Sequence, residues 1–179
     1  MTPAEYIQLK AFARVDGALL SLLWIVSFAC YVMGISSPLY SVIALLLMVV
    51  TPFFVGHRLA KFRDEGRQGV ISFRRAWAYS IFVFFYAAIL LALAQYVYFA
   101  FLDQGYLLFS FNKVLASPEA KQLIEQYGMQ QAMSESLQQM GQMRPIDYAL
   151  NVLTVNIMAG VVLGLPIAAL LQRHAVAKP

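Results

Sequence analysis

His57 and His174, with Asp64 and Glu65, are the residues whose types come nearest to metal chemistry in this chain. A helical zinc site needs His-x-x-x-His or a carboxylate and a histidine one turn apart. Neither spacing occurs, so both histidines read as polar groups near helix ends. Met129, Met133, Met140 and Met143 carry thioethers of the kind that hold Cu(I), but their spacing is already explained by packing on one helix face. A serine nucleophile would be signalled by Gly-x-Ser-x-Gly, which the sequence lacks. Cys30 is the single cysteine and lies in an apolar run, so it reads as a buried structural thiol. Asp103, Asp147 and Arg144 would have to converge on an outer cleft to act on a lipid-linked substrate. The balance falls against an enzyme, and no cofactor is implied.

Proton-coupled transport needs a carboxylate near the bilayer midplane, because an isolated charge there costs several kcal/mol and is kept for a purpose. Asp16 lies instead at the edge of the first apolar run, within reach of headgroup water or a basic neighbour. Gln95, Asn151 and Asn156 are polar but do not titrate; they would line the path of a channel. The strongest local pattern is the four-residue spacing of Asn156, Gly160, Gly164 and Ala168. Small side chains in such a stripe let two helices approach closely, and the amide can bond across the contact. The stripe is expected either to pack inside the bundle or to meet a partner.

The elements that would position these residues are set by charge-free stretches at 17–56, 76–102 and 148–172. A bilayer core of about 30 Å takes roughly 20 apolar residues per helix. The first stretch is long enough for two spans and is broken by Gly34, Ser36, Ser37 and Pro38, which favour a tight hairpin. Four spans follow, at about 15–33, 39–56, 73–102 and 147–171. The whole chain, 1–179, reads as one membrane domain, and its 61% hydrophobic content lies outside the range of ordinary soluble domains. Thr51-Pro52 is expected to bend span two, because proline removes a backbone donor. The N-terminus, with Glu5 and Asp16 ahead of the apolar run, makes a poor secretory signal and is read as retained.

Ten of the 13 Lys and Arg residues lie in the N-terminal flank, the 57–75 loop and the C-terminal tail. With four spans these share one side, which the positive-inside rule makes cytoplasmic for both termini. The loop concentrates Arg58, Lys61, Arg63, Arg67, Arg74 and Arg75 against Asp64 and Glu65. It is expected to touch lipid headgroups or a cytosolic partner, with Asp64-Glu65-Gly66 and Gln68-Gly69 supplying turns. The charges sit between apolar spans and no nucleic-acid-binding motif is present, so nucleic acid is not an expected partner.

The 103–147 segment falls on the periplasmic side. Ser117-Pro118-Glu119 reads as a helix start, with Ser117 as cap and Pro118 in the first turn. Gly128 interrupts, and a second amphipathic stretch runs to Met143. In it Met129, Met133, Leu137 and Met140 form a stripe opposed by Gln130, Gln131, Gln138 and Gln139.

Phe62-Arg63-Asp64 through Gly69-Val70-Ile71-Ser72-Phe73 and Ala76, followed by a long aromatic span, resembles a family of small four-helix bacterial inner-membrane proteins known as a domain of unknown function. The Asp147-Tyr148 start of span four, with its later Asn and Gly residues, fits the same pattern. The resemblance covers nearly the whole chain and implies a bacterial envelope location, with no catalytic residue to carry over.

The resulting expectation is an all-α, integral membrane four-helix bundle with a periplasmic amphipathic helical segment. Its expected role is a non-enzymatic accessory or assembly subunit in contact with membrane lipids and a protein partner or further copies of itself. The alternative is a small oligomeric channel or transporter.

Overall fold

The computed structural model describes residues 2–35 and 37–173. Seven α-helices follow in order: α1 (Pro3–Gly34), α2 (Pro38–Gly66), α3 (Phe73–Val97), α4 (Tyr106–Leu115), α5 (Pro118–Gln126), α6 (Gln130–Gln142) and α7 (Pro145–Leu171). Four of them are long and apolar enough to cross a membrane: α1, α2, α3 with its continuation to Leu102, and α7. The chain is a multi-pass membrane protein of α-helical architecture.

Local chemistry sets the helix starts. Thr2 caps α1 in a reciprocal box with Glu5: each side chain bonds the other residue's backbone N–H. Pro3, Pro38, Pro118 and Pro145 each occupy the first turn, where a missing N–H costs nothing. Ser117 caps α5 as its sequence predicts. Between α1 and α2 the chain reverses within a few residues. Ser41 Oγ donates to the Gly34 carbonyl at 3.0 Å, and a Cβ on Gly34 would stand 2.7 Å from the Ser41 backbone nitrogen.

Helix α3 is central. It packs on α1 along one side and on α7 along another, while α2 leans chiefly on α1. Ala76, Ala87, Ala88 and Ala92 are buried on α3 and keep these contacts close. The core joins Leu9, Leu20 and Trp24 of α1, Val55, Leu59 and Phe62 of α2, Tyr79, Val83 and Phe84 of α3, and Ile167 and Ala168 of α7. Several polar groups within the spans find partners, as a medium without water favours. Trp24 Nε1 donates to Thr51 Oγ1 at 2.9 Å, Ser27 Oγ to the Ala44 carbonyl at 3.0 Å, and Trp77 Nε1 to the Val161 carbonyl at 3.0 Å.

The core is unevenly distributed along the bundle. Before Thr51, α2 buries only Ala44; before Gly160, α7 buries only Ala149. The two helices approach near Gly56 and Leu171, where Arg63 also donates to the Leu171 carbonyl at 3.2 Å. There the link between α2 and α3 pairs with the segment after α7, through two backbone bonds between Ile71 and Arg173.

Helix α1 begins at Pro3 and α2 runs on to Gly66, so both helices continue well past their apolar spans. Two expectations need correction. Asp64-Glu65-Gly66 is helical rather than a turn, while Gln68 and Gly69, both at positive φ, form the turn their sequence predicts. The segment between α3 and α7 holds three helices, since α4 precedes the two that its sequence predicts. A π-helical turn at Tyr98–Leu102 ends span three, and Gln104 and Gly105, both at positive φ, reverse the chain into α4. Helix α6 then packs on α4, turning Met133, Leu137 and Met140 half-inward while Met129 stays exposed.

Candidate functional site

Asp16, Arg58 and Tyr79 come together from three helices at the end of the bundle that holds the N-terminus. Asp16 and Arg58 each lie roughly 20 residues, about 30 Å of helix, from the Gly34–Pro38 turn, so an antiparallel hairpin brings them to one level. Arg58 Nε donates to Asp16 Oδ1 at 2.5 Å and its terminal nitrogen pairs with the same oxygen. The Tyr79 hydroxyl donates to Asp16 Oδ2. Asp16 is 1% exposed and Tyr79 fully buried. Phe62 lies flat on the Tyr79 ring, with centroids 4.8 Å apart and planes 5° from parallel, and Phe12 packs on Phe62 in turn.

Both carboxylate oxygens are therefore engaged, one by a cation and one by a neutral hydroxyl. A buried carboxylate so held has its charge balanced by Arg58 and cross-links α1, α2 and α3 in a single contact. Its geometry suits a structural tie, with a donor on each oxygen from a different helix.

A second cluster lies closer to the N-terminus. Glu5 Oε1 accepts from Arg67 at 2.9 Å and Oε2 accepts from Arg75 at 2.6 Å. The Thr2 backbone N–H adds a third bond at 2.8 Å. Glu5 precedes the apolar stretch by some ten residues, and these donors, the Thr2 amide foremost, hold its carboxyl down to about 2. Arg63, 5% exposed, joins the same end by pairing with Asp64 at 2.7 Å and reaching Leu171.

The six basic residues singled out from the sequence thus have assigned positions. Arg58 meets Asp16, Lys61 meets Glu65 at 3.8 Å on an exposed helix face, Arg63 meets Asp64, and Arg67 and Arg75 share Glu5. Arg74 is exposed and makes no ion pair among the described residues. Five of these cations are engaged within the chain.

The span-four stripe faces α3. A Cβ on Gly160 would fall 2.4 Å from the Phe84 Cβ, and one on Gly164 would fall 3.1 Å from Trp77 Cδ1. Ala168 is fully buried. Asn156 is half-buried, and its amide donates to the Val152 carbonyl of its own helix at 2.9 Å. Gln95 is buried on α3, while Asn151 is exposed on α7. On the far side, Arg144 and Asp147 pair with each other at the start of α7, at 2.9 Å. Asp103 caps α4 through the Gly105 and Leu107 amides. A shallow depression there is lined by Tyr98, Asp103, Tyr106 and Phe109, and neither Arg144 nor Asp147 reaches it. Cys30 is buried, His57 is exposed, and His174 lies outside the described residues.

Sequence reasoning did not find Tyr79 as the partner of Asp16, nor the sharing of Glu5. The available signals were the equal distance of Asp16 and Arg58 from the hairpin and the Thr2-Pro3-Ala4-Glu5 capping pattern.

The family model described as Protein of unknown function (DUF4199) matches residues 16–173. The chain belongs to that family. No curated protein matches it, and no solved structure does. The matched stretch contains Asp16, Arg58 and Tyr79 and begins after Glu5, Lys10 and Arg14.

Proposed function

We propose that this chain is a non-enzymatic accessory or assembly subunit of a bacterial inner membrane, with both termini cytoplasmic and the α4–α6 segment periplasmic. The placement of ten of 13 basic residues on the N-terminal side of the spans supports that orientation. The observation that carries the role is the one-sided seating of α2. Leu39, Val42, Leu45, Leu46, Met48 and Phe53 are exposed along it, and its contacts outside α1 are few. An edge helix of this kind, fixed at its cytoplasmic end by Arg58 and Arg63, offers a rigid apolar rail to a partner's transmembrane helix. Packing between spans then proceeds by van der Waals fit rather than by any reactive group.

Mild-detergent extraction from native membranes, followed by mass and subunit composition of the complex, tests this. A complex of fixed stoichiometry with a second membrane protein is the expected result. A closed ring of this chain alone would contradict it and favour the oligomeric channel, with Asn151 and Asn156 of α7 as the polar residues to follow. A bare monomer would contradict both.

A further inference from the structure

We propose that Lys10 and Arg14 form a binding site for the phosphate headgroup of an anionic glycerophospholipid, at the seam of α1 and α3 in the leaflet nearest the N-terminus. This inference is independent of the accessory role. It rests on which cations the fold leaves uncommitted. Five of the six basic residues in the 57–75 region are engaged by Asp16, Asp64, Glu65 or Glu5. Lys10 and Arg14, one helical turn apart on α1, have no carboxylate within ion-pair distance among the described residues.

They are not loose charges. Lys10 Nζ sits 4.4 Å from the centroid of Tyr6, and the Arg14 guanidinium 6.0 Å from that of Tyr86. The two rings belong to one aromatic strip that crosses the seam. Tyr6 meets Phe82 edge-on at 5.9 Å, Phe82 stacks with Tyr86 at 6.2 Å, and Phe85 meets Tyr86 at 5.5 Å. The strip holds both cations on one side of the molecule. Residues four apart on a helix are neighbours on its surface, so one phosphate can accept from both.

The depth fits a lipid rather than a soluble anion. Arg14 stands just before the charge-free stretch that starts at Gly17, and Tyr86 lies inside the apolar run of α3. Aromatic and basic side chains gather at this level because their rings are amphipathic and their charges stay wet. Below the cations, exposed Phe85 and Ile89 continue along α3 and offer an apolar track for an acyl chain.

The test is native mass spectrometry of the full-length protein released from detergent micelles containing phosphatidylglycerol or phosphatidylcholine. The wild type is expected to retain phosphatidylglycerol selectively. Lys10→Gln with Arg14→Gln should lower that retention roughly tenfold or more, the order expected when two basic groups leave an anionic lipid surface. The charge-preserving pair Lys10→Arg with Arg14→Lys should restore it. A charge-matched control at the opposite end, Lys113→Gln with Lys121→Gln, should leave it unchanged. Both substituted positions on α1 are at least partly exposed, and an unchanged melting temperature confirms that the fold is intact. Equal retention by the double variant would overturn the proposal, as would equal retention of phosphatidylcholine or an equal loss in the control. Displacement of the lipid by millimolar glycerol phosphate would assign the site to a soluble anion instead, and would also overturn it.

Discussion

Removing the Asp16 carboxylate leaves the Arg58 guanidinium and the Tyr79 hydroxyl inside the bundle without their shared acceptor. Breaking a buried pair from one side costs about 3–5 kcal/mol, so Asp16→Ala is expected to destabilise the protein by that order in denaturant unfolding from micelles. Tyr79→Phe keeps the stack on Phe62 and loses one hydrogen bond to a charged group, a cost of about 1.5–3 kcal/mol. Asp16→Leu combined with Arg58→Met should recover most of the loss, because a well-packed apolar pair can replace a buried ion pair. Additive single effects would contradict the tie. Glu5 gives a pH signature. Its folded carboxyl is held at about 2, below its ordinary value of 4.5, so its contribution is present above about pH 4.5 and is lost as pH falls toward 2. Glu5→Gln should remove that part of the acid sensitivity in melting temperatures measured from pH 6 to pH 2. At this scale the sequence was readable only in part. Asp16 could be placed at the edge of a span with a basic neighbour in reach. Naming the neighbour required knowing that the hairpin brings together residues 42 positions apart, and Tyr79 carried no pattern of its own.

Between elements, the contact of α3 with α7 is limited by backbone approach at Gly160. Gly160→Val would drive its side chain into Phe84, whose Cβ already stands 2.4 Å from where a Cβ would be built. Overpacking of this kind costs about 1–3 kcal/mol, and the variant should melt earlier and expose α3 to cysteine labelling at Ala88. Gly128→Ala meets no atom within 4 Å; its cost comes from positive φ alone and should be smaller. Elements were the most legible level of this chain. Apolar length fixed four spans, Gly34 and Pro38 marked the hairpin, and Ser117 and Gly128 bounded α5. Where a predicted turn is helical, packing outweighs turn propensity. Asp64-Glu65-Gly66 stays helical because Leu59, Phe62 and Arg63 are buried against neighbouring helices. Helix α1 extends to Pro3 because Leu9 and Ala13 belong to the same core and Thr2 caps the end. Helix α4 follows span three after only Asp103, Gln104 and Gly105, and the reversal at Gln104-Gly105 is what separates them.

Across the whole molecule, stability and openness lie at opposite ends. Five of the six ion pairs among the described residues, the Ile71–Arg173 bridge and most of the buried side chains of α2 and α7 sit near the chain's N-terminal end, while α2 and α7 bury little of their first halves. A rigid base with an uncommitted apolar rail is the arrangement on which the accessory reading depends. The family match and the four spans define what kind of protein this is, and the exposure of α2 points to how it would be used. The most direct measurement makes the native-membrane extraction position-specific, with a photo-crosslinker at Leu45 or Met48 of α2 and, for comparison, at lipid-facing Leu93 of α3. The account predicts one discrete adduct from the two α2 positions, of a mass that differs from twice this chain, and none from Leu93. Adducts at twice the chain mass, or equal yields from all three positions, would contradict it.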